Sequence, residues 1–187
     1  RLGNRTVVMY AGNLGHSQSL ALVVEAARRH QNRDDLVYVI NGGGVRAEEI
    51  AAEAGGLQNL IVIGYQPFER LAEVLATGDI HVVPLRTGLA SASVPSKAYS
   101  TMAAGRPIIA SVDQDTEVAL MVANADAGLA VPPDDPDAFT AAVEYLAGDV
   151  ELRTRMGVNA RAWAEKCHSA RVAAGSYLDL VGRLTDP

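Results

Sequence analysis

Lys97 and Arg86 carry the charge that an anion would need. Lys97 follows Pro95 and Ser96 at the head of a small-residue stretch, Ala98 to Ala104, which Gly105 stops before Arg106-Pro107 forces the chain to extend. Proline at a first turn, a serine able to cap open amides and a lysine beside them describe a helix start suited to phosphate. Arg86 lies in the loop before it. These are the only two cations near that loop and helix, placed to neutralise a departing diphosphate. The bland reading of each, a surface arginine and a lysine at a helix cap, stays open on the sequence alone.

Glycines supply the second half of the chemistry. Gly12-Asn13-Leu14-Gly15, Gly42-Gly43-Gly44, Gly64-Tyr65 and Gly88 each lie after a strand-like run. Glycine lets backbone approach a ligand closely, so four such loops at one sheet edge describe a cradle, although any one of them could be a plain tight turn. His16, in the first loop, could donate to a phosphate, whereas His30, His81 and His168 read as structural or solvated. Glu117 reads as a helix-capping residue and Cys167 as a helix-packing one. The spaced glycine triplet of a dinucleotide site is missing, and Asn41-Gly42 stands where a nicotinamide-dinucleotide enzyme would carry an acid. No P-loop, Ser-His-Asp arrangement or metal-ligand spacing can be read, so no metal or cofactor is expected.

Holding those loops at one edge takes alternating strands and helices. Strand-like runs cover Thr6 to Ala11, Leu36 to Ile40, Leu60 to Ile63, Ile80 to Leu85, Pro107 to Ser111 and Ala127 to Val131. Helical patterns separate them: Ser19 to His30, Val45 to Ala54, Pro67 to about Ala76, the segment from Pro95, and Thr116 to Asn124. Three more helices close the chain, Pro136 to Ala147, Val150 to about Glu165 and Ser169 to Leu184, with Asp134-Asp135-Pro136 as a capping turn. The expected fold is a Rossmann-like α/β three-layer sandwich with a six-stranded parallel sheet and extra C-terminal helices.

The whole chain bounds what such a fold can serve. With 187 residues, 49% of them apolar, one domain spanning 1–187 can bury a sizeable core. A net charge of -6 argues against a nucleic-acid partner, because phosphate backbones are bound through accumulated Lys and Arg. The single cysteine allows no internal disulfide, and no segment has the apolar length of a membrane span or the form of a signal peptide, so a soluble, cytoplasmic protein is expected. A chain opening on Arg1 and entering a strand almost at once reads as a piece of a longer polypeptide.

Several blocks together resemble one family. Val8-Met9-Tyr10-Ala11-Gly12-Asn13-Leu14-Gly15, Asn41-Gly42-Gly43-Gly44, Val62-Ile63-Gly64-Tyr65, and above all Pro95-Ser96-Lys97 through Pro107-Ile108-Ile109-Ala110, look like the C-terminal, donor-binding domain of retaining GT-B glycosyltransferases of the group 1 or family 4 type. The tail Ala160 to Lys166 and on through Tyr177 is similar to that domain's closing helices, the last of which crosses back to the other domain. The resemblance covers nearly the whole chain and implies one half of a GT-B fold that binds a nucleotide-diphosphate sugar. It implies that Gly12, Asn13, Leu14 and Gly15 face the diphosphate, that Gly64, Tyr65 and Gln66 border the base, and that Ser93, Val94, Pro95, Ser96 and Lys97 present amides to phosphate and sugar. Family members often carry two glutamates at the positions of Ala92 and Ser100, the second gripping the ribose, and a lysine where Gln18-Ser19-Leu20 stands. With these missing, Lys97 and Arg86 are the residues left to compensate.

The resemblance further implies metal-independent transfer with retained configuration to a polysaccharide, lipid-linked or other glycoconjugate acceptor. The acceptor site would belong to a missing N-terminal domain, which would also make any contact with the inner face of a membrane, and the isolated fragment would bind donor but turn over nothing. Two other readings of the same fold compete: a catalytically silent nucleotide-sugar-binding module, and an epimerase, whose acids and histidines cannot be located here. A receiver-like domain would need an acidic cluster at the strand ends, where this chain has glycines and amides.

Overall fold

In the computed structural model, which describes residues 2–89, 95–167 and 170–185, the apolar runs become parallel strands, the inner ones buried on both faces and the outer β3 and β6 only in part. Strands β1 (Thr6–Asn13), β2 (Leu36–Gly43), β3 (Leu60–Ile63), β4 (Ile80–Pro84), β5 (Ile108–Ser111) and β6 (Gly128–Val131) form one all-parallel sheet in the order β3-β2-β1-β4-β5-β6. Near-continuous hydrophobicity, rather than alternation, is what a parallel sheet covered by helices on both sides requires. Helices α1 (Ala21–Arg29), α2 (Ala47–Glu53), α3 (Leu71–Thr77), α4 (Lys97–Ala103), α5 (Glu117–Asn124), α6 (Pro136–Ala147), α7 (Val150–Cys167) and α8 (Ala170–Thr185) complete the chain.

The period of two along each strand sorts the core into layers. Val8 and Tyr10 of β1 join Tyr38 and Ile40 of β2 under α1 and α6, with Val23, Phe139 and Leu146 among their neighbours. Val7 and Met9 face the other way with Val37 and Val39. Farther along, Val83, Ile108 and Ala110 pack with Met102 of α4, Val122 of α5 and Ala160 of α7. The chain moves outward from β1 through β2 to β3, then returns to β4 on the other side of β1. This reversal makes the carboxyl ends of β1 and β4 the crevice where open parallel sheets bind ligands.

The expected fold class is the one found, with four local differences. Strand β1 runs on to Asn13, which pairs with Gly43, because Gly42 has no side chain to block its neighbour: a Cβ there would enter the Gly12 carbonyl. The expected loop glycines Gly12, Gly42 and Gly43 are therefore strand residues. The helix expected from Pro67 starts as a 3₁₀ turn, Phe68–Arg70, and becomes α-helical only at Leu71. Ser96 occupies the N-cap position of α4 with helical backbone angles, and its side chain caps no amide. Glu117 does not cap α5 either; the Thr116 hydroxyl accepts from Ala119 N, and Glu117 instead accepts a 2.8 Å bond from the Tyr99 hydroxyl.

Candidate functional site

At the reversal point a cleft of about 610 Å³ opens over the sheet edge. The end of β1 gives it Ala11, Gly12 and Asn13; the segment after β3 gives Tyr65, Gln66, Pro67 and Phe68; the start of α4 gives Pro95, Ser96, Lys97 and Ser100. Asn41, Gln18, Leu71 and Leu85 complete much of the lining. A second, shallower hollow lies across the glycine loop, bordered by Asn13, Gly15, His16, Ser17, Arg86 and Thr87. Asn13 lines both.

Lys97 is fixed where the cleft meets β1. Its Nζ donates a 3.0 Å bond to the Tyr10 hydroxyl and lies 4.6 Å from the centroid of the same ring. That hydroxyl in turn donates to the Asn13 carbonyl at 2.5 Å. Burial lowers the Lys97 pKa to about 8. Burial, with the nearby Tyr65 phenol adding to it, pushes the Tyr10 pKa well above its ordinary value, so Tyr10 stays neutral. The lysine stem runs against Gly12, whose φ of +150° suits glycine, and a Cβ added at that residue would sit 3.0 Å from Lys97 Cε.

The turn holding Arg86 is tied down at three points. Arg86 N donates to Ser17 O at 3.1 Å, Thr87 N and Oγ1 both donate to Asp134 at 3.0 Å, and Gly88 N donates to Asp113 at 3.2 Å. Asp134 also accepts from the Ser19 hydroxyl. Burial pushes its pKa up, but the bonds from Ser19 and Thr87 outweigh that and hold it below the usual carboxylate value.

Residues 5–149 match the family described as glycosyl transferases, group 1. The chain belongs to that family. Over 116 residues it is 32% identical to the putative colanic acid biosynthesis glycosyl transferase WcaI of Escherichia coli K12, a stretch covering 62% of this chain and 28% of that protein. It therefore spans well under half the length of this curated relative. The sucrose-phosphate synthase of Thermosynechococcus elongatus has the same fold, with a TM-score of 0.78, 21% identity and coverage of 97% of this chain and 46% of that one. So does HepE of Anabaena, solved with UDP-glucose, with a TM-score of 0.80 at 14% identity over 97% of this chain and 50% of that one.

For this group 1 chain, the structure gathers most of the expected site residues but not in a single cavity. Gly12, Asn13, Tyr65, Gln66, Pro95, Ser96, Lys97 and Ser100 line the main cleft, while Gly15, His16 and Arg86 border the adjoining hollow. The two cations thus fall on opposite sides of the glycine loop. Leu14 is fully buried, its amide donating to Gly43 O and its carbonyl accepting from Arg46 N, so it serves the core rather than the cleft. Gly42 and Gly43 lie behind the lining, where they let β1 and the Tyr65 ring approach. Gly64 offers its carbonyl to the Asn41 side chain at 2.9 Å and to Gln66 at 3.2 Å, which sets the base of the Tyr65 segment. Ser93 and Val94 lie outside the described residues.

Tyr10, Phe68 and Leu71, and Asn41 as a lining residue, were not among the expected site residues. One signal for Tyr10 was present: a tyrosine inside a buried strand must find a partner for its hydroxyl.

Proposed function

We propose that this chain binds the nucleotide-diphosphate sugar for a glycosyl transfer whose acceptor is held by a further domain of the full-length protein. The observation that carries the reading is the Lys97 ammonium at the sheet's reversal point, lying against a glycine that leaves room for a ligand backbone. A diphosphate set against Lys97 and the Gly12-Asn13 end of β1 puts the base toward Tyr65, Gln66 and Phe68 and the ribose toward Ser100. As the bond from the anomeric carbon to the β-phosphate oxygen breaks, its electron pair leaves with the diphosphate. A fixed ammonium stabilises that growing charge more than it stabilises the intact donor. In this reading the transfer retains configuration, needs no metal and takes place in the cytoplasm, with a polysaccharide, lipid-linked or other glycoconjugate as acceptor. WcaI, whose name places it in colanic acid biosynthesis, and HepE, solved with UDP-glucose, support the two ends of it.

Calorimetric titration with UDP-, GDP- and ADP-sugars tests the donor half. One of them binds, and its affinity falls as pH rises through about 8, where Lys97 loses its proton. The chain by itself releases no nucleotide when acceptor is added, whereas the full-length protein does so, with or without a chelator. Failure of all three donors to bind, or turnover by the 187-residue chain alone, defeats the proposal. Ser100, lining the cleft at a position where the family resemblance implies a glutamate, favours one second reading, a silent binding module. Donor binding without nucleotide release by the full-length protein would support it.

A further inference from the structure

We propose that Tyr10 is the positioning residue of this site: its one buried hydroxyl fixes the Lys97 ammonium and the Asn13 carbonyl together, so that cation and the Gly12-Asn13 end of β1 meet a diphosphate as a single preset unit. This assignment rests on the donor-site reading above.

A lysine carries a compact charge on a flexible four-carbon stem, and near a cleft mouth it ordinarily extends into water. Lys97 does not. Among the described residues Tyr10 is its only hydrogen-bond partner, and an ammonium has three N–H groups to donate. The polarity of the relay is forced. The Asn13 carbonyl can only accept and the ammonium can only donate, so the neutral phenol gives its proton toward Asn13 and turns a lone pair to Lys97. The two residues joined to Lys97 in this way belong to the end of β1, while Lys97 begins α4, 87 positions beyond Tyr10. The ring face adds a second restraint at 4.6 Å, and the bare Gly12 backbone provides the track along which the stem lies. Fixing a charged group before the ligand arrives removes an ordering cost that binding would otherwise carry. A tyrosine present only to fill the core would need just its bond to Asn13, and nothing about Lys97 would depend on it.

Tyr10→Phe keeps the ring and deletes the hydroxyl. The chain has two lysines, Lys97 and Lys166, so lysine-labelled NMR gives two side-chain signals, with the exposed Lys166 as an internal control. In the wild type Lys97 titrates near 8, and in the variant its midpoint moves lower, because the ammonium has lost its acceptor while burial remains. Affinity for UDP-glucose, or whichever donor the wild type binds, and for inorganic pyrophosphate drops about tenfold, the scale expected for one charge-assisted hydrogen bond. Lys97→Met supplies the second arm. In that background Tyr10→Phe produces no further loss of affinity, since its whole effect passes through Lys97. An unchanged Lys97 midpoint overturns the assignment, and so does an equal loss in both backgrounds. If no donor binds the wild type, the donor-site reading fails, while the Lys97 midpoint in the Tyr10→Phe variant still decides whether the hydroxyl holds the lysine.

Discussion

Lys97 works against the stability of the fold that carries it. Burial lowers its pKa from 10.5 to about 8, which at 1.36 kcal/mol per unit is a cost of about 3 kcal/mol for keeping the charge in the folded state at neutral pH. The sign follows from proton counting. Below pH 8 both folded and unfolded chains hold the proton and the cost is complete; between 8 and 10.5 only the unfolded chain does, so stability rises with pH through that window. Lys97→Met should therefore raise the unfolding free energy at pH 7 by about 1–3 kcal/mol, the usual trade of a functional buried charge for an apolar side chain. The advantage should shrink as pH climbs from 8 to 10.5, and donor affinity should be weaker than wild type at pH 7 and no longer fall as pH rises through 8. Urea melts of both proteins at pH 7 and pH 10 check this, and a Met variant less stable at pH 7 refutes it. Lys97 and Gly12 could be read from the sequence because their types and local spacing carry the signal. The partners of Tyr10 and Asp134 could not, because they lie 87 and 47 positions away; the sequence shows only that a buried tyrosine must have one. Ser96 does not cap for a local reason: its backbone is already helical, whereas a capping serine takes an extended conformation.

At the scale of elements, close backbone approach decides where glycine is indispensable. Helix α7 packs on α4, and its Gly157 meets the turn that follows α4: an added Cβ there would run into the Gly105 carbonyl, with Pro107 Cδ at 3.8 Å behind it. Alanine is the better helix former by about 1 kcal/mol, yet Gly157→Ala should destabilise the protein by about 1–3 kcal/mol, because backbone cannot step aside as a flexible side chain can. Gly175 in α8 is the matched control: nothing described lies within 4 Å of its virtual Cβ, so Gly175→Ala should be neutral or slightly stabilising. Thermal melts of the two variants separate them, and equal effects would show that the contact is not tight. The elements were the most legible part of the chain. Helix α6 (Pro136–Ala147) matches its expected limits because Asp135 caps the Asp137 and Ala138 amides and Pro136 occupies the first turn, all local chemistry. The ends of β1 and β2 were not legible, since whether a glycine continues a strand depends on the neighbour it must admit.

For the molecule as a whole, the last two helices differ in kind. The family match stops at residue 149, yet α7 buries Leu152 and Met156 in the layer beneath α1 and α6, and Ala160 and Ala164 in the layer beneath α4 and α5. It clamps both halves of the core. No described side chain of α8 is buried, and Tyr177, Leu178, Leu180, Val181 and Leu184 are each more than half exposed. Apolar surface left in water stabilises nothing at the roughly 25 cal/mol per Å² that burial yields. Ending the chain after Cys167 should therefore change the unfolding free energy by less than about 1 kcal/mol, leave donor affinity intact and reduce binding of a hydrophobic dye. Ending it after Gly148 should abolish cooperative unfolding, because four core residues leave with α7. Denaturant melts and dye titrations of the two shortened chains give the answer. If loss of α8 alone were to collapse the fold, that helix would have to be packed onto the domain in solution, contrary to the open apolar face it shows here.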